Sequence, residues 1–305
     1  MSKSTISTFE LFNLIPDAET ASLYLESRLW PEGVTCPTCA GRERITTRKG
    51  GFYRCNRCET DFTVRTGTIF ERSHVPLHKW VYAMYLVVTA RKGISSMQLA
   101  KEIGVTQKTA WFMLQRLREA CSGKLDKLAG FVEVDECFVG GLEKNKHESN
   151  KLRLGRGSVG KTAVLGLREC GGKTIAFPIE NTDKETLQGA ILQHVEVGSQ
   201  VMTDEASGYQ GMDGLFYYHA TVNHSAGEYK RGGVHTNSIE SVWSLLKRGV
   251  YGTWHHISAK HTGRYVNEVT FRLNAANVAR HTLDRLDSFI AAVDGQRLTY
   301  KRLTA

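Results

Sequence analysis

The rhythm of apolar and polar positions changes several times along this chain. Between residues 7 and 29, Leu11, Leu14 and Ile15, then Ala21, Tyr24, Leu25 and Leu29, recur at helical spacing and predict one or two short amphipathic helices. Pro31 and Gly33 break that pattern. From 36 to 70 the chain is rich in Cys, Gly and Thr, with strand-like pieces such as GFYRC and DFTV. From 77 to 120 it is helical again, with a break at Lys92-Gly93 and a turn at Gly104-Val105. Residues 131 to 220 then alternate. The order is strand FVEVDECFV, a basic loop, strand TAVLGLRE, strand TIAFPIE, helix DKETLQGAILQHV and strand QVMTDE. Helices follow at 235–249, near 261–280 and near 281–293. Strands mixed with helices predict an α/β layered architecture for this half.

The helix HTNSIESVWSLLKRG at 235–249 carries the first chemical question. Ile239, Val242, Leu245 and Leu246 form an apolar stripe. Its first turn also holds His235, Asn237 and Glu240, with Lys247 two turns further on. Asn237 and Glu240 are three apart and share a face, and Lys247 lies seven beyond Glu240 along it. The polar cluster thus borders the core-facing side. Asp135 sits at the centre of an apolar strand, where a carboxylate costs desolvation unless it is paired or bound to a metal. Asp204 ends another apolar strand, at the edge where α/β sheets place ligands. Two strand aspartates and a helix acid can hold two Mg²⁺ ions through oxygen ligands. Two ions about 3.5–4 Å apart suit phosphodiester chemistry. His224 and His235 are candidates to lie near the same cleft.

Seven cysteines add a second chemistry. Four of them form two Cys-x2-Cys pairs, Cys36 with Cys39 and Cys55 with Cys58, separated by fifteen residues. Two such pairs predict a tetrahedral Zn²⁺ site of four thiolates. A segment this small buries little core, so the metal supplies its folding energy. Glycine is often found just after the second cysteine of such a turn; here Ala40 and Glu59 hold those positions. Arg42, Arg44, Arg48, Lys49, Arg54 and Arg57 surround the site as candidate phosphate contacts or as a solvated basic surface. Cys121, Cys137 and Cys170 have no partner spacing and are expected to be small buried residues.

The segment SSMQLAKEIGVTQKTAWFMLQRLREA at 95–120 has the pattern of a helix-turn-helix. Leu99, Ala100, Ile103 and Val105 supply packing, Gly104 the left-handed turn, and Thr106 a cap. Gln107, Lys108 and Thr109 then fall at the exposed start of the second helix, where base edges are read.

Lys and Arg outnumber Asp and Glu by 40 to 31 in 305 residues, which favours a polyanionic partner. That length suits two or three modest domains. The first residues lack a secretory pattern, and the most apolar run, WVYAMYLVV, is about half of a membrane span. The reading is a cytoplasmic protein with no membrane association.

Taken in order, WPEGVTCPTC, YRCNRC, TGTIFERSHVPLHKW, GISSMQLAKEIGVTQKTAWFMLQRLREA, VEVDECFVGG, MTDEASGY, VNHSAGEY, HTNSIESVWSLLKRG and RYVNEVTFRLN resemble a known family. It is the prokaryotic insertion-sequence transposases that join a zinc ribbon to an ISXO-like, DDE-type catalytic domain of ribonuclease-H fold. The resemblance covers nearly the whole chain. It implies an N-terminal helical segment (1–33), a zinc ribbon (34–72), a helix-turn-helix segment (73–125), a ribonuclease-H-like catalytic domain (126–280) and a C-terminal helix and tail (281–305). It implies cleavage at the element's inverted-repeat ends and joining of the 3′-OH to target DNA, with Mg²⁺ or Mn²⁺ as catalytic cofactor and a homodimer or higher oligomer as the working form. Asp135 and Asp204 match the family's two aspartates. Glu240 and Asn237 both match the third position, with Glu240 preferred because a carboxylate binds a hard cation better than a neutral amide. Lys247, with Arg248 beside it, is placed against DNA phosphate. The basic loop 144–160 is a further candidate backbone contact. A catalytically silent descendant acting as a DNA-binding regulator is the alternative.

Overall fold

A computed structural model describes residues 5–304, apart from 124, 142–144, 146, 152–157, 216–217 and 229. Most of the basic half of the 144–160 loop therefore lies outside the described residues. The chain forms two compact units. One is Met1–Gly123 together with Ala275–Ala305, and the other is Lys124–Asn274.

In the first unit, α1 (Thr8–Leu14) opens with a capping box in which Ser7 and Glu10 bond each other's backbone amides. Asp17 caps α2 (Ala18–Leu29) through the Thr20 amide. Three short strands follow, β1 (Ile45–Arg48), β2 (Phe52–Cys55) and β3 (Asp61–Phe62), in one antiparallel sheet. The small core of this sheet is closed by Trp30, just past α2. Its ring meets Tyr53 and Phe62 edge-on at 5.5 and 6.0 Å. The Tyr53 hydroxyl donates to Glu26 on α2 at 2.8 Å. Next come α3 (Leu77–Thr89), α4 (Ser96–Ile103) and α5 (Gln107–Ala120). Gly104 ends α4 in the left-handed conformation, at φ 63°, and Thr106 caps α5 by accepting from the Thr109 amide. Here the predicted break and turn stand where the residues placed them.

The second unit is built on a five-stranded sheet. Its strands are β4 (Phe131–Val139), β5 (Thr162–Glu169), β6 (Thr174–Ile179), then, after α6 (Lys184–His194), β7 (Gln200–Thr203) and β8 (Tyr218–Thr221). The spatial order is β6-β5-β4-β7-β8, with β4 central. β5 runs antiparallel to β4 and β6 antiparallel to β5, whereas β7 and β8 run parallel to β4. Helices α7 (Asn237–Gly249) and α8 (Thr262–Leu273) complete the unit. Strand alternation splits the core in two. Val132, Val134, Leu165 and Leu167 pack with Leu187 and Ile191 of α6 on one face. Cys137, Val139, Val164 and Ala176 pack with α7 and α8 on the other. This is the α/β layered architecture that was expected. Two details were not. β8 is a four-residue strand without alternation that owes its conformation to pairing with β7. α8 stops at Leu273, well short of residue 280, because Asn274 turns away to exchange hydrogen bonds with the backbone of Thr174.

The chain then returns to the first unit as α9 (Thr282–Ala291) and α10 (Tyr300–Thr304). Asp287 of α9 accepts from Tyr24 and Arg28 of α2, at 3.2 and 2.6 Å. Arg285 donates to the Val88 carbonyl of α3. Among the described residues no helix is long and apolar enough to cross a membrane.

Gly166 is opposite Asp135 in the β4–β5 ladder and makes room for α7. A Cβ there would stand 2.5 Å from the Trp243 ring and 2.8 Å from Ile239. Gly166→Ala is therefore expected to destabilise the protein by roughly 1–3 kcal/mol through overpacking, measured as a lowered denaturation midpoint.

Candidate active site and metal centre

The parallel pairing of β4 with β7 sets the first two acids side by side. Glu133 is opposite Met202, so continuing the register by two residues brings Asp135 level with Asp204, just past the end of β7. Asp204 accepts from the Ala206 amide at 3.0 Å, an Asx turn that ends the strand. Asp135 points to the α7 face of the sheet, and the Trp243 indole donates to its Oδ2 at 2.8 Å.

α7 has no side-chain cap of its own at Thr236. Its first free amides are taken instead by Glu133, which is fully buried in the middle of β4. Oε2 of Glu133 accepts from the Ser238 and Ile239 amides at 2.8 and 2.9 Å. The Cys170 thiol donates to Oε1 at 3.6 Å, and His235 Nδ1 lies 3.3 Å away. A carboxylate at a helix N-terminus is favoured by the dipole as well as by the hydrogen bonds. β4 thus gives a carboxylate to the start of α7, and α7 returns an indole to Asp135. Cys170 is exposed rather than buried, because it ends β5 at the turn into β6, but its sulfur reaches this carboxylate.

Glu240 faces the same cleft. Thr236 donates to its Oε1 at 3.1 Å, and His224 Nε2 is 3.6 Å away and shares a hydrogen bond with Thr236. His224 is itself placed by the turn after β8. Glu205 accepts there from the His224 and Ser225 amides, and with the Ser225 hydroxyl these bonds hold its carboxyl down to about 2.

The acids crowd one another. Burial pushes Asp135 up to about 6, against the bond from Trp243, and the charges of Asp204 and Glu240 add to the rise. Glu136, next along β4 and on the α6 face, is pushed up to about 7. Burial is the main cause; the Tyr209 side chain opposes it, while Asp135 and Asp204 add to it. Glu133 and Glu136 were not singled out in the sequence. The available signal was FVEVDE itself, which puts two acids two residues apart on one inward face.

Of the other candidates, Asn237 is the first residue of α7 and is exposed. Lys247 and Arg248 are exposed in its last turn. The Lys247 charge is felt at Cys137, on the Asp135 face of β4. Gln107 and Lys108 are exposed and Thr109 half-exposed at the start of α5. Gln107 donates to Ser96, while Thr109 shares a hydrogen bond with Thr106.

Among the described residues, only Cys36, Cys39, Cys55 and Cys58 have ligand atoms all within 4.8 Å of one another. Their sulfurs lie 3.6 Å (Cys36–Cys58) and 3.7 Å (Cys39–Cys55) apart. A tetrahedron of thiolates about 2.3 Å from Zn²⁺ has edges of about 3.8 Å, so the cluster fits that ion. The Thr60 hydroxyl and amide hold the Cys58 thiol down to about 6, toward the thiolate that a metal needs. Both turns pass through the left-handed region without glycine, at Ala40 (φ 53°) and Glu59 (φ 58°). The surrounding arginines are partly engaged: Arg42 pairs with Glu32, and Arg48 and Arg54 with Asp61.

Residues 127–274 match the family model of the ISXO2-like transposase domain, and residues 16–61 that of the transposase zinc-ribbon domain. An uncharacterised protein of the transposable element ISH50 from Halobacterium salinarum is 31% identical over 249 residues, covering 77% of this chain and 83% of that one. Solved structures with likeness include a simian T-cell lymphotropic virus intasome bound to the PP2A regulatory subunit B56 gamma. It is 14% identical, covers 65% of this chain and 66% of that one, and has a TM-score of 0.29. A Mos1 transposase paired-end complex with the left transposon end is 13% identical, covers 65% and 77%, and has a TM-score of 0.21.

Two outcomes are expected. Glu133→Ala leaves the part-buried Ser238 amide, the buried Ile239 amide and His235 without their carboxylate, and should cost roughly 1–3 kcal/mol or more in chemical denaturation. Ala40→Gly and Glu59→Gly relieve left-handed strain. Each should stabilise the zinc-loaded ribbon by about 1 kcal/mol, seen as a higher chelator concentration at half-loss of metal.

Proposed function

Because the chain belongs to the IS1595 family of transposases, with an ISXO2-like transposase domain and a transposase zinc ribbon, we propose that it cuts phosphodiester bonds at insertion-sequence ends and joins the freed 3′-OH to target DNA. The observation that carries this reading is the meeting of three acids. Asp135, midway along β4, stands level with Asp204 just past the end of the parallel β7, and Glu240 of α7 is near enough for its charge to act on Asp135.

Asp135, Asp204 and Glu240 are a hard, all-oxygen donor set suited to Mg²⁺ or Mn²⁺. Bound there, such ions would activate the attacking oxygen and stabilise the leaving one. Trp243 holds Asp135 in one orientation, so little reorganisation is needed at the reacting phosphate. Thr236 and His224 do the same for Glu240. Water attacks the phosphodiester at the element end and the 3′-OH leaves. That hydroxyl then attacks a target phosphodiester and expels a target 3′-OH. Lys247 and Arg248 contact DNA phosphate beside the acids. Asn237 is a helper at the cleft's rim. Zn²⁺ on the four cysteines supports the ribbon fold. The 34–72 and 73–125 segments bind the element's ends, with Gln107, Lys108 and Thr109 reading bases. Since two ends must be brought together, the working form is at least a homodimer.

The test is a cleavage and strand-transfer assay with the DNA flanking the protein's own gene and Mg²⁺ or Mn²⁺. Asp135→Asn, Asp204→Asn and Glu240→Gln should each lower cleavage at least about a hundredfold while end binding persists, whereas Asn237→Ala stays within about tenfold. The reverse ranking of Glu240 and Asn237 would move the third ligand to Asn237. Binding without any cleavage would favour a regulator. The rate should also fall as pH drops through about 6, because Asp135, raised to about 6, becomes neutral there and loses its hold on a cation.

A further inference from the structure

The first turn of α5 does not stand alone. Lys108, Phe112, Arg116 and Glu119 follow one another at helical spacing and form a single stripe along α5. The returning C-terminal segment covers that stripe. Tyr300 meets Phe112 edge-on with ring centroids 5.8 Å apart, and Lys108 Nζ lies 5.4 Å from the Tyr300 centroid. Arg302 pairs with Glu119 at 2.7 Å, and Arg297 with Glu71 at 3.0 Å. Arg116 donates to the Ile69 and Glu71 carbonyls from beneath. From Met113 to Ala120 every residue of α5 is buried.

A helix enclosed in this way cannot lie lengthwise in a DNA groove. It can offer only its tip and whatever stands beside the tip. Beside it are Tyr300, 48% exposed, and the exposed Lys301. Glu71 and Glu119 are matched by Arg297 and Arg302, so Lys108 and Lys301 are left as surplus positive charge on this edge. The Tyr300 ring is already held by Phe112 and Lys108, so its hydroxyl can donate to an anionic oxygen at small entropic cost.

We propose that the C-terminal segment 297–304 is part of the DNA interface. Tyr300 and Lys301 contact the phosphate backbone next to the bases approached by Gln107, Lys108 and Thr109. This rests on the DNA-binding reading above and adds a contact from the far end of the chain. Phosphate contacts of this kind set register rather than sequence preference. Their loss should therefore weaken binding to all duplexes and lower its salt dependence.

The experiment uses the full-length, zinc-loaded protein and fluorescence anisotropy. One labelled duplex comes from the DNA flanking its gene and one is unrelated, across roughly 50 to 200 mM salt. Lys301→Glu, at an exposed position, should keep the wild-type melting curve. It should weaken binding to both duplexes by about tenfold and reduce the log–log salt slope by about 1. Tyr300→Phe removes only the hydroxyl and should weaken binding about threefold or more. The proposal is overturned if both variants bind as wild type on the same slope. Tighter binding by Lys301→Glu would overturn it too, since the segment would then be a cover rather than a contact. Wild-type protein that binds neither duplex would instead remove the DNA-binding reading itself, and this proposal with it.

Discussion

The carboxylate of Glu133 holds the two halves of the second unit in register. It is buried between strand and helix, where an unpaired charge would be strongly disfavoured. What stabilises it is the start of α7, which offers two backbone amides and the positive end of its dipole. The exchange is mutual, because Thr236 gives this helix no side-chain cap and its amides would otherwise be orphaned. The return bond from Trp243 to Asp135 works only because Gly166 lets the indole lie close against β5. Asp135, Trp243, Glu240 and Lys247 are thus placed by one junction between β4 and α7.

That junction also determines the electrostatics. Asp135 and Glu136 are neighbours in sequence but face opposite sides of the sheet, and burial raises both. Glu205, fully exposed and bonded by amides and a hydroxyl, is lowered instead. The same side-chain chemistry is pushed in opposite directions by desolvation and by donors. A buried carboxylate such as Asp135, with the charges of Asp204 and Glu240 near it, gains from a divalent counter-charge, which links this geometry to the proposed chemistry.

The two units use different means to the same end. The second unit has two apolar layers, one on either side of its sheet. The zinc ribbon has a core of a few side chains, leans on α2 through Trp30 and Tyr53, and accepts left-handed strain at Ala40 and Glu59. Four thiolates on one metal would offset that strain, because metal affinity is folding energy in so small a module.

Spacing alone was enough for the cysteine pairs, since a metal with fixed bond lengths leaves few arrangements for two Cys-x2-Cys turns. Period-2 and period-3.6 patterns likewise determined most strands and helices, and hence the α/β class, because burial of one face is a local property of the chain. Asp135, Asp204 and Glu240 were legible as acids where apolar neighbours make acids costly. The rest required tertiary structure. β8 has no pattern and exists by pairing. α8 ends where Asn274 finds the backbone of Thr174. Glu133 looked like one more polar residue in a strand, yet it caps a helix 105 residues away. No local signal encodes that bond, because its donors belong to a segment that only the folded sheet brings near.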